Sequence, residues 1–582
     1  MNPHDPSDRP QQRNNIFQNL MHEANAYTSI ETIEASLEQG ESLANLPMQP
    51  LYVTLKNLPT ERVGEILPSL SKSQRTVFLD LDIWSKDDVD VIQFEFWINA
   101  YSACQDEAIR KEFITGVEFA IFLKSRFNIW TFDAEDPQYP DHDNYFLTDD
   151  GLLLFEFDED CLYISQIRQL VREIYGDMGV EKAYAYLFKI VSDSFLTFQE
   201  EEYRFKKLRL DDYGFVDYYD ALELEATYSS IEFMHAQFRK KKKFTGKIDP
   251  IGAAQALHRH GLVPFQKDLD GMTKELEKVK SDSRLSFLQF NFIRLINGTL
   301  VLKNAMKDGP MSMNRVGQQT RAFLELGGGY LIDYREKHPD DFNLDQDESL
   351  LELFNFSDLY KIGATLIRSV QKNLKKYLGQ YSFDGQSEKF LGAIFLEFLE
   401  YSFDWPVKAK SESDGKYYDI CNLKQYNQWQ GKCQIYIELL PFMDQFHLSF
   451  NQLLDDGRLD NSYYLNYTVE EIDWESIILS SFANHALGIY SEENEVEGKM
   501  GLTIDEYRKF LSMVTAEGSL KSFKELKESI VKFKSQFGLN EVLDFNDYMY
   551  TLLQNHLDGY DITELKDEDY RHVGGPIILN VL

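Results

Sequence analysis

A chain of 582 residues with 96 acidic and 60 basic side chains has a formal net charge of −36. Such a body repels phosphate backbones and anionic lipid surfaces, which argues against nucleic acid as a general partner. Hydrophobic residues at 43%, with 42 Phe and 33 Tyr, supply ample core material and exclude a disordered chain.

Cys104, Cys161, Cys421 and Cys433 form no Cys-x-x-Cys pair, so zinc is poorly supported and reduced, buried thiols are expected. The polar first residues show no secretory signal, and no window approaches the roughly 18 uninterrupted apolar residues of a membrane span. A cytoplasmic protein without a transmembrane segment follows by elimination.

Residues 1–46 read as a mobile N-terminal arm with a weak helix over 15–37. Residues 51–97 read as three short helices in succession. Leu51, Leu55 and Leu58 share one face before Pro59, and Val63, Ile66, Leu67 and Leu70 repeat the pattern. Ser71 with Gln74 makes a capping box, and Ser85 with Asp88 offers a second cap. Helices this short survive only by packing on neighbours. A longer helix is expected over 106–127, then a loop rich in Asp and Pro. Asp150-Gly151 between two apolar runs predicts a β-hairpin over 145–157. Helices resume over 161–176, 180–193 and 204–228, with Gly214 as a break.

The dense basic run 239–247 and Pro250 suggest a linker over 239–250. Helices over 284–302, 313–326 and 359–378 follow; Gly327-Gly-Gly329 is expected to end the second of these. Residues 434–439 fit a strand or a short helix. Thr468 with Glu471, and Thr503 with Glu506, form capping boxes ahead of apolar stripes. The expected fold is mainly α: a multi-domain array of short capped helices with one small hairpin. Its parts are the arm 1–46, an N-terminal helical domain 47–238, the linker 239–250, a helical middle domain 251–400 and a mainly helical C-terminal domain 401–582.

Three stretches carry a family resemblance: Gln74-Arg-Thr-Val-Phe-Leu-Asp-Leu-Asp-Ile-Trp84; Arg204 with Leu208-Arg-Leu-Asp-Asp-Tyr-Gly-Phe215 and Tyr219-Asp-Ala-Leu222; and Asp569-Tyr-Arg-His-Val-Gly-Gly575. Together they resemble a bacterial family known only as domain of unknown function 6178, which implies no activity. The rhythm of 51–97 is also similar to the N-terminal helical domain of MgtE-type magnesium transporters and to the middle domains of the flagellar switch protein FliG. That resemblance implies a small right-handed helical array, and in the transporter the acidic faces of this domain are associated with magnesium sensing.

Clustered carboxylates suit hard cations, so Asp80, Asp82, Asp87 and Asp88, with Asp90 beside them, are the metal candidates, magnesium being the cofactor to test. The competing reading gives them to a helix joint and a first helical turn. Asp133, Glu135, Asp136, Asp141 and Asp143 with His142, and Asp455-Asp-Gly457 with Asp460, lack EF-hand spacing and read as solvated loops. His258 and His260 read as a helix end, and Gly327-Gly-Gly329 lacks the context of a phosphate loop. Lys240, Lys241, Lys242 and Lys243 are the partner-binding candidates; the bland alternative pairs them with the protein's own acids.

No Ser-His-Asp or Cys-His set can be assembled. The expectation is a non-catalytic helical scaffold or regulator that binds another protein. The alternatives are a magnesium-responsive regulator using an acidic helical face, and an enzyme whose pocket the sequence hides.

Overall fold

Helices dominate because apolar residues recur at three- and four-residue spacing and many runs open on a side-chain cap. The computed structural model describes residues 30–40, 42–46, 48–85, 88–133, 135–192, 195–244, 270–306, 308, 310–381, 383, 385–410, 415–489, 501–516, 519–558, 566 and 577–581. The chain divides into two units, residues 1–364 and 365–582. The fold is mainly α, with small antiparallel strand pairs.

The first unit opens with α1 (Ile30–Glu38), α2 (Met48–Lys56), α3 (Thr60–Ile66) and α4 (Lys72–Asp82). Leu51, Leu55, Val63, Ile66 and Leu67 are buried, as their spacing requires. Both halves of the Ser71–Gln74 capping box are present. The expected cap at Ser85 and Asp88 is different. Strand β1 (Trp84–Ser85) pairs with β2 (Asp88–Val89), and Asp90 caps α5 (Val91–Ala103) by accepting from the Gln93 N–H. The strand pairing moves the N-cap from Ser85 to Asp90, five positions along.

The helix expected over 106–127 is two, α6 (Glu107–Ile114) and α7 (Val117–Arg126), because Thr115-Gly116 interrupts it. Strand β3 (Phe127–Thr131) follows α7 directly. The hairpin forms as β4 (Tyr145–Leu147) and β5 (Leu153–Phe157), in register Phe146 opposite Phe155. Gly151 takes φ +69, open to glycine at no steric cost. Strand β3 pairs with the other edge of β5, making a three-stranded sheet in order β3-β5-β4.

Then come α8 (Ile164–Met178), α9 (Val180–Ser192), α10 (Phe195–Asp212), α11 (Tyr218–Glu225) and α12 (Ile231–Phe238). The break between α10 and α11 holds Gly214 at φ +73. Helices α13 (Asp270–Lys278), α14 (Asp282–Leu302) and α15 (Pro310–Lys337) follow. Helix α16 (Phe356–Gln380) begins in this unit and continues into the second.

Helix α15 runs straight through Gly327-Gly-Gly329, against the expected stop. The reason is a close crossing with α16. A Cβ on Gly327 would stand 1.8 Å from the Leu359 carbonyl oxygen, and one on Gly363 2.0 Å from that of Phe323. Glycine here permits two backbones to touch rather than ending a helix.

One stretch of α14, Ser283–Leu302, is long and apolar enough to cross a membrane by length and composition, although polar residues interrupt it. In this fold 53% of it is buried. Leu288, Ile293, Ile296 and Leu300 are core residues, and Arg284 donates to the Leu351 and Phe354 carbonyls.

The second unit contains α17 (Ala393–Ser402), the pair β6 (Lys408–Lys410) and β7 (Tyr417–Asp419), and α18 (Leu423–Asp455), which absorbs residues 434–439 as helix. Helix α19 (Trp474–Ala486) has its own capping box, Asp473 with Ser476, while the Thr468–Glu471 box opens a single 3-10 turn before it. Helix α20 (Ile504–Val514) starts on the Thr503–Glu506 box and buries Tyr507, Phe510, Leu511 and Val514. The pair β8 (Thr515–Ala516) and β9 (Ser519–Leu520) leads to α21 (Phe523–Gln536) and α22 (Phe545–Leu557). The chain end buries Ile577, Ile578 and Leu579, and Leu579 bridges to Leu502.

Candidate functional site

The site lies in the first unit, where α10 packs on α4 and α7. Asp80 and Asp82 sit two apart on α4, so their side chains leave the helix on different sides. The Asp82 carboxylate is fully buried. It accepts from the Tyr52 hydroxyl at 2.9 Å, Lys56 Nζ at 2.6 Å and Trp97 Nε1 at 2.8 Å. Burial and this carboxylate push the Tyr52 hydroxyl well above its ordinary pKa.

Asp80 meets another group altogether. Arg209 of α10 donates to it through Nε and Nη2, both at 2.8 Å, in a bidentate clamp. The same Nη2 donates to Glu202 at 2.5 Å and stands 3.7 Å from Glu118 of α7. Oxygens of Asp80, Glu118 and Glu202 lie within 4.8 Å of one another. Burial raises the Glu118 pKa to about 7; the charges of Glu202 and Asp80 add to the rise, and a backbone hydrogen bond and Arg209 oppose it. Burial likewise raises Asp80 and Glu202 against the pull of Arg209. Three carboxylates thus surround one guanidinium, an oxygen-rich set that suits a hard cation if Arg209 moves out.

Next to this cluster is a cavity of about 330 Å³. Tyr52, Asp80, Trp84 and Asp90 line one part, Lys206, Leu210, Asp217 and Tyr218 another, and the end of α14 with Asn304 and Met306 the rest. Asn304 holds φ +53, a left-handed conformation that ends α14. Lys206 is buried, its Nζ 3.7 Å from Asp217, 5.2 Å over the Trp84 ring and 4.8 Å over Tyr203. Asp217 also accepts from the Tyr203 hydroxyl at 2.7 Å and caps α11. The Trp84 indole N–H is buried and meets no acceptor among the described residues.

Of the four metal candidates, Asp80 alone joins the carboxylate cluster. Asp82 serves different donors, Asp88 lies in β2 opposite Ser85, and Asp87 lies outside the described residues. In the basic run, Lys241 pairs with Asp358 and Lys243 with Glu348, each at 2.8 Å, while Lys240 and Lys242 are exposed. His142 bonds Glu156 of β5 at 2.9 Å, and Asp460 caps a 3-10 turn. His258 and His260 fall outside the described residues. Sequence reasoning missed Glu118, Glu202, Arg209 and Lys206, which arrive from α7 and α10. A signal did exist: stretches 74–84 and 204–222, singled out for their resemblance to one family, meet here through Asp80, Trp84, Arg209 and Leu210.

No curated protein and no solved structure matches the chain. The model of a family of unknown function, DUF6178, matches residues 11–578, and the chain therefore belongs to that family.

Proposed function

We propose that the chain is a non-catalytic regulatory protein of the cytoplasm, a helical scaffold that docks another protein. One observation carries this reading. Phe205 and Leu208 on α10 are 56% and 65% exposed, and Tyr219 and Leu222 on α11 are 47% and 44% exposed. The Lys207–Asp220 ion pair, 2.9 Å, ties these stretches of the two helices together. Large apolar side chains grouped in this way favour a protein partner.

The test uses two baits in cytosol from the source cells: the wild-type chain and a Phe205→Ser, Leu208→Ser double variant. A partner should be retained by the first and lost from the second, with circular dichroism unchanged. Equal retention on both baits would remove this surface from the reading.

A second reading, a magnesium-responsive regulator, is favoured by the three carboxylates gathered around Arg209. Millimolar magnesium should then raise the melting temperature of the wild type and not of a Glu118→Gln, Glu202→Gln variant. A melting temperature and hydrodynamic radius that ignore magnesium would end this reading.

A further inference from the structure

Strand β3 pairs with β5 on one side and with no strand on its outer side among the described residues. The ladder sets the direction of its backbone groups. The Phe132 N–H donates to the Leu152 carbonyl at 2.8 Å, and antiparallel alternation then turns the N–H and C=O groups of Asn128 and Trp130 toward β5. Those of Ile129 and Thr131, with the Phe127 carbonyl, face outward and meet no partner among the described residues. Asn128 and Thr131 are exposed and Trp130 is 36% exposed, so this edge is open. Edge strands are usually guarded by a charge, a proline or shortness. Phe127-Asn-Ile-Trp-Thr131 has neither charge nor proline and is five residues long, whereas β4, on the other side of the sheet, has three.

Charge decides what kind of chain fits. Exposed Asp133, Glu135 and Asp136 follow β3 directly, and exposed Asp158 and Glu159 follow β5 at the opposite end, where Phe157 stands across from Phe127. None of these has an ion pair among the described residues, and Arg126, which precedes β3, is already paired with Asp160 at 2.7 Å. A strand added here therefore lies between two groups of carboxylates. A second copy of the chain would bring the same acids, and repulsion at both ends would oppose it. We infer that β3 is a docking edge for a basic, extended segment of a partner protein. Main-chain hydrogen bonds to Ile129 and Thr131 hold the segment, its lysines or arginines reach the acids at the strand ends, and an apolar side chain lies against the exposed Trp130 ring. This edge shares no residue with the surface on α10 and α11, so the two stand or fall separately.

The experiment uses the full chain and a short fluorescein-labelled peptide of alternating lysine and valine, followed by anisotropy. Two counterparts separate backbone from charge. One has every amide nitrogen methylated, which keeps the lysines and removes the N–H donors; the other has glutamate in place of lysine. Saturable binding is expected for the first peptide, with each counterpart about tenfold weaker or worse. Thr131→Pro should also weaken binding about tenfold, because it removes an outward N–H while the side chain is exposed and the bonds to β5 stay. The comparison of peptides needs no variant, so it stands even if Thr131→Pro folds poorly. A methylated peptide that binds as tightly as its parent would reduce the attraction to charge alone and overturn the inference. So would a glutamate peptide of equal affinity, or no saturable binding up to millimolar concentration. A wild-type chain that sediments as a dimer, with Thr131→Pro a monomer, would give the edge to a second copy instead.

Discussion

Gly327→Ala should destabilise the first unit by about 3 kcal/mol, while Gly329→Ala, two residues along the same helix, should stabilise it by about 0.5–1 kcal/mol. The two glycines differ in what faces them. At Gly327 a methyl group would lie 1.8 Å from the Leu359 carbonyl oxygen and 2.9 Å from the Gly363 nitrogen, both backbone atoms of α16. Backbone cannot rotate away as a flexible side chain can, so the two helices must separate, and the packing between them is lost along with the contact. At Gly329 an added methyl would meet nothing within 4 Å. There the gain is the helix propensity of alanine over glycine. Gly363→Ala should repeat the loss from the other side, since its methyl would meet the Phe323 carbonyl oxygen at 2.0 Å. Urea denaturation followed by circular dichroism gives the sign and size, and hydrogen exchange over 310–337 and 356–364 locates the damage. A Gly327→Ala protein as stable as wild type would mean that the helices do not cross at this distance.

The same glycines mark where reading the sequence fell short. A Gly run after an apolar helix is the ordinary signature of a stop, and nothing within the run distinguishes a stop from a crossing. The distinction lay further on, in Tyr330, Leu331 and Tyr334, which continue the three- and four-residue spacing; the last two are buried. Some local signals were legible because one residue decided the outcome. Ser71, Thr503 and Gly151 each fix a cap or a turn by their own chemistry, and each is found in that role. Strand β3 was invisible because it follows α7 with no turn residue between them, and its pairing with β5 is settled by distant chain. The site has the same character. Asp80 stood out in an acidic, aromatic string, but Arg209, 129 positions away, decides what Asp80 does. Periodicity reports which face of a helix is buried; it does not report which helix covers it.

Glu118→Gln should leave stability nearly unchanged at pH 5 and raise it by up to about 3 kcal/mol at pH 8. Burial holds the Glu118 carboxyl at about 7, above the ordinary 4.5. The folded protein therefore keeps a proton that the unfolded chain releases. That preference stabilises the fold fully below about pH 4.5 and is lost as pH rises through about 7. Above that, the Glu118 charge joins those of Asp80 and Glu202 around one guanidinium. A glutamine in place of Glu118 would carry no such charge, and its amide can donate to either neighbouring carboxylate. The groups that face Glu118 are Asp80 from α4 and Glu202 and Arg209 from α10, with the Tyr186 hydroxyl of α9 close enough to be pushed up to about 12, chiefly by burial. Asp80 and Glu202 are raised in the same direction, so removing the Glu118 charge relieves them as well. The decisive quantity is the difference between variant and wild type as a function of pH, because the many surface acids contribute equally to both. A difference that grows between pH 5 and 8 locates the proton at the cluster. A flat difference would show that Arg209 already neutralises all three carboxylates, and would remove the charge imbalance on which the magnesium reading depends.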